Sequence, residues 1–122
     1  VNVTDQRAVE AFPELGHLIA LRNLGWRFLP PLVRNGVPVE VDGFWEWPGG
    51  WCDVIRVRDS SEALGLRMTG GRRPGVVWEY EGGMVDVVAA LVSLPPPGER
   101  LAPRLVTAAA PRLWTPAEPL LQ

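Results

Sequence analysis

The stretch Trp51-Cys52-Asp53-Val54-Ile55-Arg56-Val57-Arg58, followed by Asp59-Ser60-Ser61 and then Ala63-Leu64-Gly65-Leu66-Arg67-Met68, decides the fold. Its first arm has period two, with Trp51, Asp53, Ile55 and Val57 in one phase and Cys52, Val54, Arg56 and Arg58 in the other. Such alternation places successive side chains on opposite faces of a β-strand. Asp59-Ser60-Ser61 is turn chemistry, because these short polar side chains bond to their own backbone. The second arm alternates again, with Leu64, Leu66 and Met68 together. Two alternating arms around a short turn predict an antiparallel hairpin.

Upstream of this hairpin, Trp45-Glu46-Trp47-Pro48-Gly49-Gly50-Trp51 carries three of the six tryptophans of the chain. Phe44 to Trp47 extends a strand beyond a bend at Gly43, and Pro48-Gly49-Gly50 turns the chain. Val37, Val39 and Val41 alternate with Pro38, Glu40 and Asp42. Pro38 cannot donate a ladder hydrogen bond, which predicts an edge strand. Asn35-Gly36 is a hairpin turn signal between this arm and Leu32-Val33-Arg34. Trp26 to Leu29 reads as a short strand that stops at Pro30-Pro31. Before it, Ala8, Val9, Phe12, Leu15, Leu18 and Ile19 recur at helical spacing over residues 5–23, with Thr4 or Asp5 as cap and Gly25 ending the segment.

Downstream, Val76, Trp78 and Tyr80 share one strand face and Val77, Glu79 and Glu81 the other. Gly82-Gly83 breaks that strand. Met84, Val87, Val88 and Leu91 then fall at i, i+3, i+4 and i+7, the strongest helical stripe in the chain. Pro95-Pro96-Pro97-Gly98 ends it. The predicted architecture is α+β: one antiparallel meander of four to five strands, with an N-terminal and a C-terminal helix packed on one face. Residues 1–98 form a single domain, and residues 99–122 a tail rich in Pro, Ala and Arg that packs on the domain or on a partner.

At 122 residues, with 47% hydrophobic and 21% charged composition, the chain suits one folded domain. No apolar run approaches the ~20 residues of a membrane helix. A single Cys, Cys52, and the absence of a secretory leader predict a cytoplasmic protein. All the basic residues are Arg, a bias of G+C-rich genomes that points to a bacterium of that kind. Net charge is −2, which argues against a domain that binds duplex DNA through phosphates.

Few groups capable of chemistry are present. His17 lies on the first helix without a second His or a nearby Cys, so neither a zinc site nor a nucleophile–base pair is indicated. Cys52 sits among apolar neighbours and reads as a buried, inert thiol. Glu79 with Glu81, and Asp53 with Asp59, have the spacing of an ordinary solvated strand face, tied by ion pairs to Arg56 and Arg58. Gly70-Gly71-Arg72-Arg73 lacks the lysine and the following helix of a phosphate loop. No catalytic residue, cofactor or metal ligand is predicted.

The aromatic cluster is the remaining signal. Trp45 and Trp47 point the same way on a strand, and either cover the end of the core or offer a stacking surface. The leading expectation is a non-enzymatic protein-binding or regulatory domain that recognises a protein partner or itself, as in a homodimer. Its candidate contact residues are Trp45, Trp47, Trp51, Arg56, Arg58, Arg72 and Arg73. An alternative is a small ligand-binding protein or enzyme with a pocket between helix and sheet, lined by His17, Trp78, Glu79 and Tyr80. A third is an accessory nucleic-acid binder that uses the arginines.

Overall fold

The computed structural model describes residues 14–110. In chain order the elements are α1 (Leu15–Asn23), β1 (Arg27–Phe28), β2 (Leu32–Arg34), β3 (Val37–Glu46), β4 (Cys52–Asp59), β5 (Glu62–Met68), β6 (Gly75–Gly82), α2 (Met84–Ser93) and β7 (Ala108–Ala109). The strands make one antiparallel sheet in the order β1-β3-β4-β5-β6-β7, with β2 also paired to β3. The hairpin read from the sequence is its centre. Val54 faces Leu66, Ile55 faces Gly65 and Asp53 faces Arg67 across β4 and β5. The Ser61 amide donates to the Asp59 carboxylate at 3.1 Å and closes the turn. This bond, with help from the Ser60 hydroxyl, holds the Asp59 carboxyl below its usual range.

The class and the single antiparallel sheet agree with expectation, but the sheet has seven strands rather than four or five. The additional strands are short. β1 and β2 fall on the short strand before Pro30-Pro31 and the arm before Asn35-Gly36 already read from the sequence, whereas β7 has two residues, a length at which no periodicity can be read. Pro38 lies where β3 has one neighbour among the described residues: Val37 to Glu40 pair with β2 alone, as the expected edge requires, and β4 joins only from Val41 onward, so the later part of β3 is flanked by β1 and β4. The β2–β3 register slips between Leu32 and Val33, and Val33 faces Pro38. Asn35 and Gly36 both have positive φ, 52° and 77°, as a type I′ hairpin turn requires.

Both helices contribute to one apolar cluster. Met84, Val87, Val88 and Leu91 of α2 and Leu18 and Leu21 of α1 pack with Ile55, Val57, Ala63 and Trp26. α2 comes close to the sheet because β5 carries Gly65 beneath it. A methyl there would lie 3.1 Å from Val87 and 3.2 Å from Leu91. Fully burying each such aliphatic side chain contributes roughly 1.5–3 kcal/mol. Tertiary burial therefore holds α2 helical despite its valines. The Met84 amide at its start donates to the Ser60 carbonyl at 2.9 Å, which joins the helix to the β4–β5 turn.

The opposite sheet face is divided. Cys52, Val54, Leu66, Met68 and Val76 form a second buried apolar cluster, flanked by Phe44, Leu64 and Ala110. The rest of that face carries charge. Val76 belongs here, not with Trp78, because the register shifts at the end of β5: Arg67 faces Trp78 while Met68 faces Val76. Val77 is the extra residue of this bulge, and it moves every earlier side chain of β6 to the other face. After α2 the chain turns twice and returns as β7 along the first residues of β6. The expected helical positions before residue 14 and the tail beyond residue 110 lie outside the described residues.

Candidate functional site

Asp53 and Arg67 occupy the phase of β4 and β5 that faces the helices, an apolar environment in which a lone charge is costly. They meet as a bidentate pair, with Nε to Oδ1 at 2.7 Å and Nη2 to Oδ2 at 2.9 Å. The two side chains are 2% and 0% exposed. The remaining Arg67 amino group, Nη1, donates to the carbonyl of Pro95 just after α2. This one guanidinium thus ties two strands to the end of a helix.

Trp47 lies against this pair and Trp45 against Trp47. The Arg67 guanidinium lies 5.6 Å from the centre of the Trp47 ring. Trp45 meets Trp47 edge-on, with centroids 5.9 Å apart at 76°. Trp45 also packs against the helix-side core, and Gly25 leaves room for its ring. Trp45, Trp47 and Trp51 are each half-buried. The indole N–H groups of Trp45 and Trp47 are buried without an acceptor. The cluster caps one end of the core over an ion pair.

On the other face Arg56 is bidentate to Asp42, at 2.8 and 3.0 Å, and lies 3.1 Å from Glu40. Arg58 reaches Glu40 at 3.1 Å and Glu62 at 3.5 Å. The expected ion-pair face exists, but its acids come from β3 and from Glu62 at the start of β5. Asp53 is not part of it, and Glu79 and Glu81 are exposed with no ion-pair partner among the described residues. A depression of about 340 Å³ opens here, lined by Arg56, Arg58, Glu62, Ala63, Leu64 and Glu81. Arg72 and Arg73 are exposed in the loop between β5 and β6.

His17, Trp78, Glu79 and Tyr80 do not come together around one cavity. Trp78 and Tyr80 stack at 6.2 Å on the helix-bearing face, Glu79 lies opposite Leu66 on the other face, and His17 is exposed on α1. A smaller cavity of about 160 Å³ is lined by Gly25, Arg27, Phe44, Trp45 and Glu46. Among the described residues no group of three His, Cys, Asp or Glu side chains is placed to hold a metal ion.

Cys52 is buried in the second cluster, on the sheet face away from His17. Burial foremost, then the charges of Asp53 and Glu46, push its thiol up to about 12 from 9.0. The folded protein should therefore resist a thiol-disulfide reagent at pH 8 and react fully once unfolded in urea. Between pH 9 and 12 the unfolded chain loses a proton that the folded chain keeps, so this contribution to stability falls as pH rises. Denaturation midpoints of wild type and Cys52→Ala across that range should converge as pH rises.

Two strand edges are open. On one side β2 has no outer neighbour among the described residues. Leu29, Leu32, Val33 and Val37 around it are 46%, 50%, 50% and 59% exposed. On the other side β7 covers only Gly75 and Val76, and Val77 to Gly82 of β6 have no outer partner strand among the described residues. No family model matches the chain, nor does any curated protein or solved structure. No described helix is long and apolar enough to cross a membrane.

Proposed function

We propose that this chain is a protein-interaction domain without a catalytic centre, and that it associates with a second copy of itself along β2. The observation that carries this reading is the concentration of exposed aliphatic side chains around an unpaired strand edge: Leu32 and Val33 on β2 itself, with Leu29 before it and Val37 on the adjoining β3. An open edge offers N–H and C=O groups to another chain, and proteins usually guard it with charge or proline. Here the guard is partial: Pro30-Pro31 precedes β2 and Arg34 ends it. Two-fold antiparallel pairing centred on Val33 sets Leu32 of each copy opposite Arg34 of the other, so no like charges are opposed. Two aliphatic side chains on a short strand, with Leu29 and Val37 beside it, make a small interface, in keeping with micromolar association.

Sedimentation equilibrium tests this. The wild-type chain is expected to dimerise in the tens of micromolar, and Val33→Lys to weaken association at least about tenfold with an unchanged thermal midpoint. A wild-type chain that stays monomeric into the hundreds of micromolar overturns the reading.

A further inference from the structure

The opposite edge of the sheet differs in every respect that matters for recognition. From Val77 to Gly82 the outer side of β6 has no partner strand among the described residues, because the β7 contact ends with the Thr107 amide donating to the Val76 carbonyl at 2.8 Å. Glu79 and Glu81, Leu66 and Leu64 being their partners on β5, lie on the face away from the helices. Successive same-face residues of a strand are roughly 7 Å apart, so these two carboxylates form a short acidic row along the edge. Among the described residues neither carboxylate has an ion-pair partner; Arg56 pairs with Asp42 and Glu40, and Arg58 with Glu40 and Glu62. On the other face Trp78 and Tyr80 stack at 6.2 Å with planes 15° apart, and Tyr80 is 41% exposed.

This pattern selects its occupant. A second copy does not fit: two-fold antiparallel pairing of β6 about Tyr80 would set Glu79 of each copy opposite Glu81 of the other, and like charges directly opposed destabilise a strand pair. A segment with Arg or Lys at alternate positions does fit. Its cations would face Glu79 and Glu81, its other phase would lie against Trp78 and Tyr80, and its backbone would take up the free groups of β6. We propose that the β6 edge binds a basic extended segment of a partner protein as an added strand. The inference is separate from self-association at β2, because it uses the other edge of the sheet.

The test uses eight-residue peptides of alternating arginine and valine, titrated into isotope-labelled Val33→Lys protein, so that the β2 edge is disabled throughout. The expected result is micromolar binding, with amide shifts concentrated between Val77 and Gly82. The same peptide N-methylated at alternate backbone nitrogens should bind at least about tenfold more weakly, and a glutamate-for-arginine peptide should not bind. Glu79→Lys/Glu81→Lys, both exposed positions, should reverse that charge preference. Absence of binding, shifts centred elsewhere, or equal affinity for the N-methylated peptide would each overturn the proposal. The peptide comparisons remain decisive if the double variant fails to fold.

Discussion

Asp53→Ala should destabilise the domain by about 3–5 kcal/mol, because it leaves the Arg67 guanidinium charged and buried with one carbonyl partner. That is a large fraction of the roughly 5–15 kcal/mol that holds a domain of this size together. Arg67→Ala should be comparably damaging, as it strands the carboxylate and releases Pro95 from the sheet. The pair itself need not be net stabilising. Both charges lose their water, and the attraction between them offsets that cost only while every donor and acceptor is matched. Asp53→Leu/Arg67→Met should therefore recover most of the stability lost in either single variant. A swapped pair, Asp53→Arg/Arg67→Asp, should not. The guanidinium would then sit on β4, away from the Pro95 carbonyl and the Trp47 ring. Urea midpoints for the four variants decide the matter. A loss below about 1 kcal/mol for Asp53→Ala would mean that water reaches the pair.

This pair also marks where the sequence could be read and where it could not. The β4–β5 hairpin, the Asn35-Gly36 turn and α2 were legible because each rests on local rules: alternation, turn chemistry and a helical stripe. So were β1 and β2, one as the short strand that stops at Pro30-Pro31 and the other as the arm before Asn35-Gly36. β7 was not, because two residues carry no period and their pairing depends on what the rest of the chain presents. The bulge at Val77 was invisible for a different reason. An extra residue in a run of Val, Val and Trp leaves the composition unchanged while it moves Val76 to the other face. For the site, the signal was present but incomplete. Asp53 shares a phase with Ile55 and Val57, and Arg67 shares one with Ala63 and Gly65, so opposite charges stand on the helix-facing phase of two consecutive strands. Read together, those phases place an ion pair in the core. Read separately, Asp53 passes for a solvated acid and Arg67 goes unnoticed.

The same geometry fixes what the tryptophans should do when removed. Trp45→Ala is expected to cost about 2–4 kcal/mol, since it empties a volume enclosed by the core cluster and the backbone at Gly25. Trp47→Ala removes the ring over the Arg67 guanidinium and admits water to the ion pair, for about 2–3 kcal/mol. Phenylalanine at either position should restore most of the loss. Each indole N–H is buried without an acceptor, so its removal surrenders no hydrogen bond. The informative experiment couples the two sites. In the Asp53→Leu/Arg67→Met background the cation is gone, and Trp47→Ala should then cost about 1 kcal/mol less than in the wild-type chain. Trp45→Ala, which acts through packing, should cost the same in both backgrounds. Equal costs for Trp47→Ala in the two backgrounds would show that its ring serves only as cover. Both alanine variants folding with wild-type midpoints would move the cluster out of the core and make it a free aromatic surface.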